Sequence, residues 1–213
     1  MSTIISVIIP CYNRENHISR AIRSCLEQTL SRELFEIIVI DDGSTDKSIQ
    51  EINKFIEEVC LITHKTNLGL PSARNTGIKA ANGRYVYNLD SDDYIHPETL
   101  KTMLVAITLT NSPAVSCDYF FVDQLDNRSK QISAIDNPIA CGILFKRELL
   151  IEIGLYDTEL LINEEKDLRI RFDEKYHIIN IPIPFYRYLQ HDNNLTQSKN
   201  KVFFDEKLKQ KYL

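Results

Sequence analysis

The chain has 213 residues, of which 43% are hydrophobic and 26% are charged, and its formal net charge is −5. This length and composition predict a soluble globular protein with a sizeable core. The negative charge argues against a general nucleic-acid binder, because such a protein needs a basic face to neutralise phosphates. Nucleic acid is therefore not an expected partner.

Neither a signal peptide nor a membrane span is expected. The first ten residues lack the basic start and the small-residue cleavage site of a signal peptide. The least polar long stretch, residues 103–117, still contains threonine, asparagine, serine and proline, so it is not expected to form a transmembrane helix. The five cysteines are scattered and form no CxxC pair, which predicts reduced, mostly buried thiols. A cytoplasmic location is expected.

The first half alternates strand-like and helix-like segments. Residues 4–10 are an apolar run rich in isoleucine, which predicts a strand buried on both faces. In residues 17–29 apolar side chains recur at helical spacing and predict an amphipathic helix. Continued along the chain, the same patterns predict strands at 4–10, 36–40, 59–63 and 85–89 and helices at 17–29, 47–57, 71–81 and 97–109.

This alternation predicts a mostly parallel sheet with right-handed crossovers, in which ligands bind outside the carboxyl ends of the strands. Asn111-Ser112-Pro113 breaks the last of these helices and marks a soft boundary between two halves. Beyond it, Asn163 is a candidate helix N-cap. The second half is predicted to contain strands at 115–122, 139–145 and 177–188, a polar loop at 123–136, helices at 147–153 and 164–176, and a charged tail.

Two of the predicted parallel strands end in acidic residues. Asp41 and Asp42 follow the second strand, and Asp90, Asp92 and Asp93 follow the fourth. If the fourth strand continues, alternation sends Asp90 and Asp92 to the same side. Two like charges at that spacing favour a bound cation, and carboxylates suit Mg²⁺ or Mn²⁺ that also binds a substrate phosphate. A plain acidic turn is the alternative.

Four segments resemble family-2 glycosyltransferases with the GT-A fold. They read SVIIPCYNRENHISRAIRSCLEQT, EIIVIDDGSTDKS, NLGLPSARNTGIKAANGRYVYNLDSDD and GILFKRELLIEIGLYDTELLINEEKDLRIR, and they cover most of residues 4–172 in the expected order. The resemblance implies an α/β fold of GT-A type, with a single Rossmann-like, mostly parallel sheet flanked by helices and a smaller acceptor-side subregion. It implies one continuous domain with a nucleotide-sugar-binding half at 1–110 and an acceptor-binding half at 111–213.

The resemblance also implies a nucleotide-sugar site. Pro10 and Tyr12 would border the base. Asp42 would recognise the base or its ribose, and an acid that completes a turn at a helix start is the alternative. Arg74 would lie near the diphosphate, or else form an ordinary surface ion pair.

Residues 90–93 resemble the family's DxD motif. Asp92 would be the more direct ligand of a divalent metal, Mn²⁺ or Mg²⁺, and Asp90 would bridge towards the ribose or the metal. Ser91 would lie between them in the donor site, and Asp93 would orient the sugar or only cap the next turn. His191 resembles a late histidine near the metal, with a solvated histidine as the alternative.

The family's catalytic base is implied within residues 164–168, which read EEKDL. Glu165 stands where the family usually has Asp, and its extra methylene moves the carboxylate by about one carbon–carbon bond. Glu165 is the first candidate for the base and Glu164 the second; alternatively, both only favour the helix dipole. Arg187 and Tyr188 could line the same site, but packing is their expected role.

The implied function is inverting, metal-dependent transfer of a hexose from a nucleotide-diphosphate sugar, UDP-linked, to an acceptor hydroxyl in glycan or surface polysaccharide biosynthesis. The acceptor would be a carbohydrate or a lipid-linked sugar. A nucleotidyltransferase is one alternative, although the loop CYNREN contains no glycine-rich phosphate signature. A non-catalytic nucleotide-sugar-binding module is another, because Glu165 departs from the family pattern.

The tail FFDEKLKQKYL alternates apolar and basic residues. It could touch an anionic membrane weakly, which would place the protein at the inner membrane face, or it could pack on a partner subunit. The oligomeric state stays open.

Overall fold

The computed structural model of the chain describes residues 3–190 and 201–212. Its strands are β1 (Ile5–Cys11), β2 (Phe35–Asp41), β3 (Cys60–Thr63), β4 (Tyr85–Asn88), β5 (Tyr94–Ile95), β6 (Ala114–Val122), β7 (Ile143–Lys146) and β8 (Ile178–Leu189). Its helices are α1 (Ile18–Leu26), α2 (Ser48–Asn53), α3 (Leu70–Ala80), α4 (Thr99–Thr110), α5 (Arg147–Glu152), α6 (Glu164–Asp173) and α7 (Lys201–Lys211), with a 3₁₀ helix at Arg32–Leu34. Each predicted strand and helix is present, with ends shifted by a few residues.

The strands form one eight-stranded sheet in the order β3-β2-β1-β4-β7-β6-β8-β5. β1 pairs in parallel with β2 and β4, and β6 pairs in parallel with β8. β7 is antiparallel to β4 and β6, and β5 is antiparallel to β8, so these two strands run against the others. The predicted mostly parallel sheet is confirmed.

Helices cover both faces of the sheet. Val7 and Ile9 of β1 pack into the core that α1, α2 and α4 cover, whereas Ile8 packs into the core that α3, α5 and α6 cover. Successive side chains of a strand point to opposite faces, so a strand covered on both faces must be apolar along its whole length. This is why an isoleucine-rich run marks a central strand.

Helix α3 lies close against β1 and β2 because residue 77 is glycine. A Cβ atom on Gly77 would come within 2.5 Å of Ile8 Cγ2 and within 2.8 Å of Ile40 Cδ1. This contact holds α3 against the sheet, and Arg74 lies one helical turn before it.

Three features differ from the sequence-based expectations. The short edge strand β5 was not predicted, because two residues carry no periodicity. Asn163 precedes α6 as predicted, but it is not a side-chain N-cap: its backbone is left-handed (φ 68°), and its Nδ2 donates to Asp205 Oδ1 at 2.9 Å. The charged tail forms α7 and packs on its own chain, with Phe204 buried and Lys211 Nζ 2.6 Å from Asp157 Oδ2.

The sheet is continuous across the predicted boundary at residues 110 and 111. β7 inserts between β4 and β6, so the second half completes the sheet that the first half begins. The division into donor and acceptor halves stays a prediction. Within residues 3–190 and 201–212, no helix has the length and apolar character needed to traverse a bilayer.

Candidate active site

The candidate site lies at the carboxyl ends of β1, β2 and β4, which are neighbours in the sheet. The loops after β1 and β2 are tied together, since Asn13 N donates to Ser44 Oγ at 3.0 Å and Arg14 N donates to Ser48 Oγ at 2.7 Å. Asn13 has a φ of 52°, and its Oδ1 accepts from Thr45 N at 2.8 Å. These bonds give the site a defined rim.

Asp42 directs its carboxylate into the loop that opens α3. Its Oδ1 lies 2.6 Å from His64 Nδ1 and accepts from Leu68 N at 3.0 Å, while its Oδ2 accepts from Gly69 N at 2.8 Å. The residue is 3% exposed. These contacts support the alternative of an acid that completes a turn at a helix start. Recognition of a base or ribose by Asp42 stays a prediction.

Asp90 and Asp92 lie beyond β4 in a turn, since β4 ends at Asn88. Strand alternation therefore does not orient them, and that reason for placing them on one side is wrong. Both are partly exposed and each meets an arginine: Asp90 Oδ1 lies 2.8 Å from Arg74 Nη2, and Asp92 Oδ2 lies 3.3 Å from Arg14 Nε. The guanidinium groups offset the repulsion that the sequence suggested only a cation could relieve.

Arg74 lies at the centre of the site and is 1% exposed. Its Nη1 donates to Glu164 Oε1 at 2.7 Å, its Nη2 donates to Asp90 Oδ1, and its guanidinium carbon is 5.3 Å from the ring centroid of Tyr156. Burial alone would lower the pKa of Arg74, but Asp90, Tyr156, Cys141 and Glu164 raise it well above its ordinary value. Arg74 is therefore a buried, permanently charged link between the turn after β4 and α6, not an ordinary surface ion pair.

The two candidate bases have different surroundings although they are adjacent at the start of α6. Glu164 is 4% exposed, and burial raises its pKa to about 8 against the opposing charge of Arg74, with Glu165 adding to the rise. Glu165 is partly exposed and borders a cavity of about 90 Å³ lined mostly by apolar side chains. Glu164 is almost fully buried and bonded to Arg74, so a substrate hydroxyl could reach the partly exposed carboxylate of Glu165 more easily. The geometry favours Glu165 as the base and Glu164 as the partner that holds Arg74.

Asp93 and Ser91 complete the turn and are buried. Asp93 Oδ2 accepts from Tyr186 OH at 2.6 Å, and Oδ1 accepts from Leu189 N at 2.7 Å. Burial raises the pKa of Asp93 well above its usual range, and the charge of Asp92 adds to this. These contacts tie the turn to β8 and favour a structural role for Asp93 over contact with a sugar.

The remaining predicted residues divide between rim and core. Tyr12 is 42% exposed at the end of β1, whereas Pro10 is buried within that strand. Arg187 and Tyr188 pack against aromatic rings of β6, in agreement with their expected role. His191 lies outside the described residues.

The carboxylates of the turn suit a divalent metal only if a bound substrate supplies further oxygen atoms. Asp90 and Asp92 offer oxygen atoms, and Asn88 Oδ1 at the end of β4 is buried without a hydrogen-bond partner in the described ranges. Mg²⁺ and Mn²⁺ bind one or two carboxylates and complete their coordination with water and phosphate oxygens. No group of three or more His, Cys, Asp or Glu residues in the described part of the chain could hold a metal by itself. The turn thus suits a metal shared with a diphosphate.

Arg14 is the site residue that the sequence analysis missed. Its guanidinium meets Asp92, and Arg20 Nη2 donates to the backbone oxygen of the same residue at 3.1 Å. The available signal was a basic residue in the loop CYNREN, directly after the first predicted strand. Only the adjacency of β1 and β4 brings that loop to the acidic turn.

Comparison with known proteins identifies the family. The sequence profile described as glycosyl transferase family 2 matches residues 6–158. The chain belongs to glycosyl transferase family 2. An uncharacterized glycosyltransferase of Haemophilus influenzae is 40% identical over 133 residues, which are 61% of this chain and 52% of that relative. The predicted family membership is confirmed.

Solved structures share the fold. The structure of Staphylococcus aureus TarS 1–349 in complex with UDP-GlcNAc matches with a TM-score of 0.80 and 25% identity, over 92% of this chain and 61% of that one. The mannosyltransferase PcManGT from Pyrobaculum calidifontis, in complex with GDP-Man and Mn²⁺, matches with a TM-score of 0.73 and 21% identity, over 91% of this chain and 59% of that one. The expected GT-A fold is confirmed. The chain spans about half the length of the Haemophilus relative and about three fifths of these structures.

Proposed function

We propose that the protein transfers a sugar from a UDP-linked donor to an acceptor hydroxyl with inversion at the anomeric carbon. The observation that carries this proposal is the buried guanidinium of Arg74, which joins Asp90 of the acidic turn to Glu164 of α6. It links the place expected for the donor to the helix expected to carry the base. The UDP-GlcNAc bound by TarS, a protein with the same fold, supports a UDP-linked donor.

The donor side is formed by the loops after β1 and β4. Asp90 and Asp92 would hold a divalent metal, Mn²⁺ or Mg²⁺, together with the donor diphosphate, and the Mn²⁺ complex of PcManGT is consistent with this. A bound metal would supply Lewis-acid stabilisation of the departing diphosphate. Arg14 and Arg74 would add positive charge at the same place. The exposed ring of Tyr12 would border the base.

Asp42 serves this site by shaping the chain. Its carboxylate holds the backbone N–H groups of Leu68 and Gly69, directly before α3. Helix α3 carries Arg74, so the turn that Asp42 completes sets where that guanidinium lies. This is an indirect contribution to donor binding.

On the acceptor side, the carboxylate of Glu165 takes the proton of the attacking hydroxyl. A single displacement from the face opposite the diphosphate inverts the anomeric centre and needs no covalent intermediate. Glu164 holds Arg74 in place from the same helical turn. The acceptor is a carbohydrate or a lipid-linked sugar bound by residues 111–213, and glycan biosynthesis at the cytoplasmic side of the membrane is the process that fits such an acceptor.

Titration calorimetry with UDP tests the donor site. Binding of UDP is expected to tighten at least about tenfold, or about 1.4 kcal/mol, when Mn²⁺ is present. Asp92→Asn is expected to remove this dependence, whereas Asp173→Asn, at a half-exposed carboxylate of α6, leaves it intact. Equal affinity with and without Mn²⁺ in the unmodified protein would refute the assignment of the metal ligands.

Release of UDP from UDP-GlcNAc tests the base. Glu165→Gln is expected to keep the affinity for UDP and to slow turnover by about a hundredfold or more. Glu174→Gln, at the exposed residue that follows the last residue of the same helix, is the control. Unchanged turnover in Glu165→Gln would exclude Glu165 as the base. UDP binding without turnover of UDP-GlcNAc or of any other UDP-sugar in the unmodified protein would indicate a non-catalytic binding module.

A further inference from the structure

Helix α7 contacts the turn that carries the two glutamates, although it lies far from them in sequence. Lys211 Nζ is 2.6 Å from Asp157 Oδ2 and 2.6 Å from Asp167 Oδ1. Tyr212 OH is 2.7 Å from the same Asp167 oxygen. Asp167 lies two residues after Glu165, on the first turn of α6.

Asp167 is completely buried, and its charge depends on these partners. Its Oδ2 accepts hydrogen bonds from Arg171 Nη2 at 2.6 Å and from Arg171 Nε at 2.9 Å. The donors for this carboxylate oxygen therefore come from α6 itself. The other oxygen takes its partners, Lys211 and Tyr212, from the end of the chain. Burial would raise the pKa of Asp167, but hydrogen bonds from Lys211, Arg171 and Tyr212 lower it. A buried carboxylate that loses partners becomes unfavourable where it lies and must move or be protonated.

The other end of the glutamate pair is also tied to α7. Asn163 Nδ2 donates to Asp205 Oδ1 at 2.9 Å, and Lys207 Nζ lies 3.1 Å from Glu159 Oε2 in the segment before α6. Phe204 is buried on the same side of α7. Asn163, directly before Glu164, and Asp167, two residues after Glu165, are therefore both bonded to side chains of α7.

We propose that α7 is a brace that positions the first turn of α6, and that Lys211 and Tyr212 are positioning residues for sugar transfer. This inference rests on the proposed function. Proton transfer from an acceptor requires the base to lie within about 3 Å of the hydroxyl, and a displacement of about 1 Å costs on the order of a hundredfold in rate. The contact between Asp92 and Arg14 involves neither α6 nor α7, and Asp90 is connected to α6 only through Arg74, so the brace is expected to act mainly on the base side.

The experiment compares Lys211→Ala, Tyr212→Phe and the double variant in the full chain, with Lys209→Ala as the control at an exposed residue of the same helix. Release of UDP from UDP-GlcNAc gives kcat and KM, calorimetry gives the Kd for UDP, and hydrogen exchange reports on the amides of residues 163–168. The double variant is expected to lose on the order of tenfold in kcat, with KM and Kd within about twofold of the unmodified protein. Exchange at 163–168 is expected to accelerate while β1 and β4 stay protected, and Lys211→Arg should restore most of the rate.

Two results would overturn the brace. One is unchanged exchange at residues 163–168 in the double variant. The other is a fall in kcat that is accompanied by weaker UDP binding and by faster hydrogen exchange throughout the sheet. That result would mean that α7 only contributes to global stability. If the unmodified protein releases no UDP from UDP-GlcNAc or from any other UDP-sugar, the proposed function fails, and the exchange result alone then decides whether α7 holds the turn.

Discussion

At the scale of single residues, the site is a set of acids and the arginines that neutralise them. Asp90 and Glu164 share Arg74, Asp92 faces Arg14, and the pairs differ in burial. The contact between Arg74 and Glu164 is almost completely buried, where removal of either residue leaves a polar group of the other without its partner. The contact of Arg14 with Asp92 is partly exposed, so a ligand can compete for it at lower cost.

Replacement of Arg74 by alanine is expected to lower the free energy of unfolding by about 3 to 5 kcal/mol. The reason is that Asp90 loses its cationic partner and the buried carboxyl of Glu164 loses its hydrogen-bond donor at the same time. Urea denaturation measures the change. Lys79→Ala, at an exposed position of the same helix, should change stability by less than about 0.5 kcal/mol. A loss below about 1 kcal/mol for Arg74→Ala would show that the guanidinium does not compensate these acids.

The pKa of Glu164 predicts a pH dependence of stability. Its value rises from an ordinary 4.5 to about 8, so the native state binds more protons than the unfolded state between these limits. The contribution of Glu164 to stability is therefore expected to fall as pH rises from about 5 to about 8, by at most about 1.4 kcal/mol per pH unit. Glutamine cannot ionise, so Glu164→Gln should gain stability relative to the unmodified protein over this range.

The measurement is urea denaturation of both proteins at pH 5, 6, 7, 8 and 9, since their difference cancels the titrating groups that do not interact with Glu164. The raised pKa of Glu164 would be contradicted if the difference in the free energy of unfolding between the two proteins did not change with pH. It would also be contradicted if the unmodified protein became the relatively more stable one as pH rises.

At the scale of elements, close packing sets where the charged groups lie. Helix α3 carries Arg74 and approaches β1 and β2 at Gly77, while α6 carries the glutamates and is held by α7. Asp42 joins the two layers, because it is at the end of β2 and bonds the turn that starts α3. The position of Arg74 thus depends on the packing of α3 against the sheet, and the position of the glutamates depends on the contacts between α6 and α7.

Gly77→Ala is expected to destabilise the protein by about 1 to 3 kcal/mol, although alanine is the better helix former by about 1 kcal/mol. The new methyl group would overlap Ile8 and Ile40 of the sheet. Thermal and urea denaturation measure the effect, with Lys79→Ala again as the control. A stabilised Gly77→Ala variant would show that helix propensity outweighs packing here and that α3 can move outward without cost.

At the scale of the whole molecule, one sheet joins the two predicted halves. β7, from the second half, is hydrogen-bonded to β4 on one side and β6 on the other. The core on each side of the sheet contains residues from both halves. Residues 1–110 would therefore expose a row of unpaired backbone groups along β4 if they folded alone.

The full chain is consequently expected to unfold in a single cooperative transition. Far-ultraviolet circular dichroism and tyrosine fluorescence, which is available because the chain has ten tyrosines and no tryptophan, should give coincident urea transitions. Two separated transitions, with residues 1–110 protected after 111–190 have unfolded, would show that the halves are independent domains.

Local patterns in the sequence were sufficient for the strands other than β5, for the helices α1 to α6 and for the acidic residues at the carboxyl edge of the sheet. The isoleucine-rich runs at 4–10 and 36–40 indicate central strands, and the acids that follow the predicted strands at 36–40 and 85–89 are expected at the carboxyl edge. Those patterns depend on neighbours within a few residues, which the sequence displays directly. The family membership carried by the same segments is confirmed.

The partners of the acids were decided by tertiary structure. Arg74 contacts Glu164, which is 90 positions away in the sequence. Lys211 contacts Asp167 from a tail for which the sequence left open a weak membrane contact or packing on a partner subunit. The path of residues 64–69 brings His64, Leu68 and Gly69 to the carboxylate of Asp42, and recognition of a ligand by Asp42 stays a prediction. The physical reason is that an ion pair forms where packing brings two charges together, and packing between distant elements leaves no periodic signal in the sequence.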